Sequence, residues 1–243
     1  MWRLFRQGHG GPSWAEQVLT TFLLLSFIQV HSVRAEPEPE PESGLVLEFH
    51  DQQGKPLADV VVSVRGTSVR KAPAGNIPVA VMDQVNKQFR PSVLIVQQWQ
   101  RVSFPNSDNI RHHVYSFSSP KVFEIRLYAN TPKQPVLFDQ PGLVVLGCNI
   151  HDQMVGYIYV SDGDDTFISN GDGRIRIPDL PAASTLSVWH PRLSLNENER
   201  QTLTLQQLNT MPRTDGHIQI TLSLAVARPE QQEGQGFGNK LRR

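Results

Sequence analysis

The amino-acid sequence predicts an all-β protein, and three observations support this fold class. From Leu45 to Val226 the apolar stretches are short, the turns between them are rich in Gly, Pro, Asn and Asp, and hardly any stretch has the 3.6-residue period of an amphipathic helix. The segments that we assign to strands read, in chain order, LVLEF, DVVVSV, SVLIV, RVSF, HVYSF, VFEIRLY, PVLF, LVVLG, VGYIYV, TFIS, RIRI, LSVW and IQITLSLAV.

The N-terminal segment, residues 1–35, has the features of a secretory signal peptide. Arg3 and Arg6 precede the apolar run VLTTFLLLSFIQV, and the small residues Val33 and Ala35 fit cleavage after Ala35. The run is short for a membrane span, which needs about 20 residues, although an uncleaved membrane anchor is the alternative. We therefore expect a periplasmic or otherwise exported protein whose mature form has no stable membrane span.

Two further segments are expected to stay outside the folded part. The alternating EPEPEPE of residues 36–42 predicts a stiff, solvated spacer, and the polar, Gly-rich residues 227–243 predict a flexible tail. The whole chain has 23 basic and 23 acidic side chains and no basic run. Nucleic acid is bound by neutralising its phosphates with Lys and Arg, so this balance argues against a nucleic-acid partner, and we expect none.

The only cysteine lies in the stretch GCNIHDQM, between two strands that are apolar on both faces, LVVLG and VGYIYV. A strand of this kind is buried on both sides, so we expect a second layer to cover the pair. The stretch contains Cys148, His151 and Met154, which offer a thiolate, an imidazole and a thioether. In an exported protein, a cysteine without an intramolecular partner is buried and inert, paired with another chain, or bound to a metal.

Two histidines with one cysteine and a distant methionine form the ligand set of blue copper sites. The stretch FPNSDNIRHHVYSF offers His112 and His113 as the missing imidazole. Their side chains alternate along a strand, so a single rigid site readily uses only one of them. Zinc also binds Cys and His, although it has less use for a thioether. The structural alternatives are that Cys148 is a small buried apolar residue and that Met154 only packs.

The order of an upstream His closely followed by Val, and then C-x-x-H-x-x-M, resembles the cupredoxins. The two-residue gaps between the Cys, His and Met are more similar to those of amicyanin than to those of plastocyanin or azurin. The stretches AVMDQVNKQFRPSVLIV, FPNSDNIRHHVYSFS and VLGCNIHDQMVGYIYV also resemble bacterial exported cupredoxin-domain proteins labelled methylamine utilization proteins. The resemblance covers residues 78–160 and implies a cupredoxin-like Greek-key β-sandwich that binds one type 1 copper ion.

The resemblance also implies which residues hold the ion. Its pattern assigns His112, Cys148, His151 and Met154 as the copper ligands. His113 stands where the family commonly has Asn, so we expect it outside the ligand set, with a hydrogen bond toward Asn149 that ties the two ligand segments together.

The flanking segments, residues 43–77 and 161–226, resemble a carboxypeptidase regulatory-like, transthyretin-type β-sandwich. LVLEFHDQQGKPLADVVVSVR resembles the opening hairpin of that module, which would make the flanks one discontinuous domain around the cupredoxin segment. NGDG, residues 170–173, predicts a further hairpin and fails the spacing of a calcium loop. NSD, residues 106–108, predicts a turn in which the Asn and Asp side chains cap backbone amides.

Two functions fit this ligand set. The first is electron transfer by a copper ion that changes oxidation state, with a redox protein as partner. The second is a copper-binding module for delivery or sensing without turnover. An enzyme is not expected, since no G-x-S-x-G, H-E-x-x-H or phosphate-binding glycine loop accompanies the candidate ligands.

Overall fold

The computed structural model describes residues 44–65, 77–178, 180–181, 183–193 and 199–225. Within these ranges the chain is nearly all β, which confirms the predicted fold class. The expected leader, the Glu-Pro spacer and the C-terminal tail lie outside the described residues. No helix in the described ranges has the length and apolar character required to cross a membrane.

The flanking segments form two four-stranded sheets that face each other. The first sheet contains β1 (Leu45–Asp51), β14 (Arg174–Ile177), β17 (Arg213–Thr214) and β18 (His217–Leu222) in the order β14-β1-β18-β17. The second contains β2 (Val61–Arg65), β13 (Asp165–Ile168), β15 (Thr185–Trp189) and β16 (Gln201–Thr204) in the order β13-β2-β15-β16, and helix α1 (Leu205–Thr210) follows β16. A single apolar core fills the space between them.

Both hairpins predicted in these flanks are wrong, because the strands on either side of each turn lie in different sheets. β1 pairs with β14 and β18, whereas β2 pairs with β13 and β15. Leu47 and Phe49 of β1 share one core with Val62 and Val64 of β2. Two facing sheets bury the apolar sides of both strands, which strands side by side in one sheet cannot do for each other. The NGDG turn likewise connects β13 to β14 across this sandwich.

The segment between the flanks forms a second sandwich. Its strands are β3 (Ala80–Val81), β4 (Asp83–Val85), β5 (Gln88–Arg90), β6 (Val93–Gln97), β7 (Gln100–Ser103), β8 (His112–Ser116), β9 (Phe123–Tyr128), β10 (Val136–Phe138), β11 (Gly142–Cys148) and β12 (His151–Ser161). A five-stranded sheet has the non-sequential order β6-β12-β11-β8-β9, a three-stranded sheet has the order β10-β7-β3, and β4 and β5 form a hairpin. Their shared core includes both Cys148 and Met154.

The outer face of the five-stranded sheet is covered by the flanking sandwich, as the two-faced apolar strands led us to expect. A small apolar cluster joins Val61 and Trp189 of the flanking sheet to residues of the central sheet, namely Val93, Ile95, Leu143, Val145, Tyr157 and Tyr159. The Trp189 ring meets the Tyr157 ring edge-on at a centroid distance of 5.5 Å. The two central strands beside the cysteine are therefore packed on both sides. The domain boundaries and the regulatory-like assignment of the flanks remain predictions.

Trp189→Ala tests how much this packing contributes. Trp189 is almost fully buried and is the last residue of β15, so truncation removes a large aromatic surface and leaves a cavity between the sandwiches. We expect the free energy of unfolding to fall by about 3–5 kcal/mol in chemical denaturation. Trp99→Ala is the matched control, because the Trp99 side chain is half-exposed. Equal, small losses in both variants would show that the interface contributes little.

Candidate metal centre

The β11–β12 hairpin brings Cys148 and His151 together. Only Asn149 and Ile150 connect the strands, and Cys148 pairs with His151 across a register shift after Gly147. A β-bulge at this point re-aims the side chains that follow it. A Cβ atom at Gly147 would lie 2.7 Å from the end of the Tyr115 ring, so any larger residue there would require this ring to move. The hairpin therefore presents the thiol and the imidazole side by side from a rigid pair of central strands.

His112 reaches the same point from β8. Its side chain is completely buried, and its Nδ1 atom lies 3.8 Å from Cys148 Sγ. His151 Nδ1 lies 3.6 Å from the same sulfur, and the two imidazole rings are 5.0 Å apart between centroids. Both histidines thus direct the same ring nitrogen, Nδ1, toward one thiol.

The separations of these donor atoms suit one metal ion. The ligand atoms of His112, Cys148 and His151 all lie within 4.8 Å of one another, and this is the cluster among the described residues that could hold a metal. Bonds of about 2.0–2.1 Å to nitrogen and 2.3 Å to sulfur, at trigonal to tetrahedral angles, set the two donors roughly 3.7 Å apart. The observed sulfur–nitrogen distances of 3.6 and 3.8 Å match this value.

Met154 lies at the inner side of the same region. It is buried on β12 and belongs to the apolar cluster that includes Cys148. An axial contact between its sulfur and a metal remains a prediction. Cys148 itself is 3% exposed, and this burial argues against a disulfide with another chain. Of the alternatives open to an unpaired cysteine, an inert buried thiol and a metal ligand remain.

His113 lies on the other face of β8 from His112, as strand alternation requires. Its Nε2 is 2.9 Å from Glu124 Oε1, and its ring is 5.7 Å from that of Tyr115. The observed partner is thus a glutamate that the sequence did not suggest, and the hydrogen bond toward Asn149 remains a prediction.

The loop before β8 supplies a contact that the sequence reasoning missed. The predicted capping within the turn is seen for Asn106, whose Oδ1 accepts from the Asp108 amide at 3.0 Å. Asp108 instead accepts hydrogen bonds from the distant amides of Asn86 and Lys87, at 2.6 and 2.9 Å. Asp108 Oδ2 also lies 2.7 Å from His112 Nε2. An acid four residues before a candidate ligand was the available signal, but only the folded loop turns that acid toward the imidazole.

Two ionisable groups around His112 have displaced pKa values. Burial raises the pKa of Asp108, but the hydrogen bonds from the Lys87 amide, His112 and the Asn86 amide outweigh it and leave the pKa below its usual value. Burial raises the pKa of Tyr128 to about 12, although a hydrogen bond from the Gln84 side chain acts to lower this pKa. The site therefore contains an ionised carboxylate and a protonated phenol, which donates to the Phe104 carbonyl at 2.7 Å.

No protein-family model and no curated protein sequence matches the chain. The structural neighbours include cupredoxins. A purple cupredoxin from Nitrosopumilus maritimus has 21% identity and a TM-score of 0.31, over 34% of this chain and 99% of that protein. A variant of amicyanin in its reduced Cu(I) form has 16% identity and a TM-score of 0.32, over 41% of this chain and 98% of that protein.

A copper-containing nitrite reductase from Thermus scotoductus has 25% identity and a TM-score of 0.34, over 39% of this chain. The chain spans only 25% of that reductase. With TM-scores below 0.5, these similarities do not identify a function. The donor atoms of His112, Cys148 and His151 provide the functional information.

Proposed function

We propose that this protein binds one type 1 copper ion and transfers electrons. The observation that supports the proposal is the convergence of two Nδ1 atoms on one buried thiol at single-ion distances. A copper ion bound there supplies one-electron redox chemistry. Thiolate suits Cu(I) and imidazole suits either oxidation state, so this donor set accommodates both.

The protein's contribution is to hold the donors still. Cys148 and His151 are fixed by the hairpin, His112 by β8, and the central sheet is packed on both faces. A rigid site changes little between oxidation states, which favours fast electron transfer. Met154 is proposed as a weak axial ligand, and His113 as a residue that steadies the ligand strands from the opposite face.

The partner in this proposal is a redox protein that docks over His151. The His151 side chain is partly exposed, whereas the side chains of His112 and Cys148 are buried. The neighbouring Ile150 is half-exposed, which gives an apolar contact beside the ligand. The proposal places the protein in the periplasm or another exported compartment, after cleavage of the leader, and assigns it no enzymatic reaction.

A visible spectrum of the copper-loaded protein, followed by a redox titration, tests the function. A type 1 site gives strong absorption near roughly 600 nm from thiolate-to-copper charge transfer, and this band should disappear and return on reversible reduction. A colourless zinc-preferring site would refute the copper assignment. Copper uptake without reversible reduction would instead identify a delivery or sensing module.

Met154→Leu tests the axial ligand. Loss of the thioether should keep copper bound and raise the reduction potential, because an apolar axial group disfavours the cupric state. The measurement is a redox titration followed at the blue band. Val160→Leu, an apolar change elsewhere in the same core, is the control. An unchanged potential and spectrum would make Met154 a packing residue and the site three-coordinate.

A further inference from the structure

We propose that Asp108 is a positioning residue that fixes the tautomer of His112 and so aims its Nδ1 lone pair at the metal. This inference rests on the proposed copper function. Its first observation is the 2.7 Å contact between His112 Nε2 and Asp108 Oδ2, with the histidine completely buried. Both oxygens of Asp108 accept backbone N–H bonds, so the carboxylate acts as an acceptor toward His112 as well, and the proton in this contact sits on Nε2. In the neutral imidazole Nδ1 then carries no proton, and its lone pair can bind a metal.

The second observation is how Asp108 is held. The β4–β5 hairpin turns at Asn86 and Lys87, which both have positive φ angles, 54° and 57°. Two such residues between paired strands form the tight turn that matches strand twist. These two amides donate to opposite oxygens of the Asp108 carboxylate. The hairpin thus orients the carboxylate before any metal binds.

The third observation is that the loop is held independently of His112. Asn106 Oδ1 accepts from the Asp108 amide at 3.0 Å, and Asn106 Nδ2 donates to the carbonyls of Ile110 and Tyr128. Asp83, in β4, accepts hydrogen bonds from the amide and hydroxyl of Ser107. The β4–β5 turn therefore holds Asp108, Asp108 contacts Nε2 of His112, and Nδ1 of His112 faces the Cys148 sulfur.

Asp108→Asn separates this role from simple loop capping. The asparagine keeps the size of the side chain, but it removes the charge and one of the two oxygens that accept from Asn86, Lys87 and His112. Where its NH2 group faces Nε2, that group donates and the imidazole proton moves to Nδ1. We expect copper affinity to fall roughly 10–100-fold and the reduction potential to rise, because the imidazole becomes a poorer donor. Asp83→Asn is the matched control, since it disturbs the same loop through Ser107. It should leave affinity and potential close to those of the wild type.

Nitrogen NMR of the metal-free protein gives a measurement that needs no copper. In the wild type His112 should carry its proton on Nε2, and in Asp108→Asn the Nδ1-protonated form should appear. If the wild type carries the proton on Nδ1, or if Asp108→Asn and Asp83→Asn have the same effects, the inference is overturned. Failure of the wild type to take up copper would refute the proposed function, while the tautomer result would still decide the role of Asp108.

Discussion

Cys148→Ser should abolish the blue absorption completely while the β fold survives. The band arises from the bond between thiolate and copper, and a hydroxyl oxygen does not give it. Serine is close in size to cysteine, and at this position its hydroxyl can hydrogen-bond to Nδ1 of His112 or His151, so the buried polar group is not left unpaired. Visible spectra of the copper-loaded variant, with circular dichroism to report the fold, give the measurement.

Ile150→Ser is the matched control for this experiment. It introduces the same side chain two residues away in the hairpin, at a half-exposed position that offers no donor atom. The control should keep the full band. A Cys148→Ser variant that remains blue would exclude Cys148 as the copper ligand, and loss of the band in both variants would point to hairpin disruption instead.

His112→Ala and His113→Ala should have opposite outcomes although the residues are adjacent. His112 is buried with Nδ1 toward Cys148, so its removal takes away a metal-binding nitrogen and leaves a cavity. The Asp108 carboxylate also loses its hydrogen bond to the imidazole. We expect loss of the blue band, or a changed spectrum with water in the open position. The loss of affinity should exceed the 10–100-fold typical of residues that only support a ligand.

His113→Ala should keep copper bound, with a shifted potential and less order in the ligand hairpin. His113 contacts Glu124 on the other face of β8, so its loss removes no atom directed at the thiol. Copper titrations recorded by visible and paramagnetic spectra compare the two variants. Added imidazole should restore part of the band in His112→Ala by filling the cavity. A colourless His113→Ala beside a blue His112→Ala would place the metal on the opposite face of the strand.

The identity and order of the candidate ligands could be predicted because they depend on side-chain chemistry and local spacing. Cys148 and His151 are three residues apart, and a two-residue connection between strands leaves them few other arrangements. The choice of His112 over His113 rested on the family pattern, together with alternation along a strand. The apolar character of both faces of β11 and β12 likewise indicated the covering layer, although not which residues would form it.

The hairpins and the hydrogen bonds around the site were not predictable in the same way. The segments on either side of a turn look the same whether their strands pair with each other or face each other across a core, so the sequence alone predicts one hairpin for β1 and β2. The contact of Asp108 with His112 depends on the β4–β5 turn, more than twenty residues earlier in the sequence. Glu124 meets His113 only because β9 pairs with β8.

The sequence by itself determined the all-β class, the soft donor set and the segment that contains it, since these follow from residue chemistry and short-range periodicity. The tertiary structure alone decided the pairing of strands across two sandwiches, the cover over the central sheet and the orientation of the His112 imidazole. Such features arise from contacts between residues far apart in the chain, where the free energy of burying both partners selects one arrangement among several that local preferences permit.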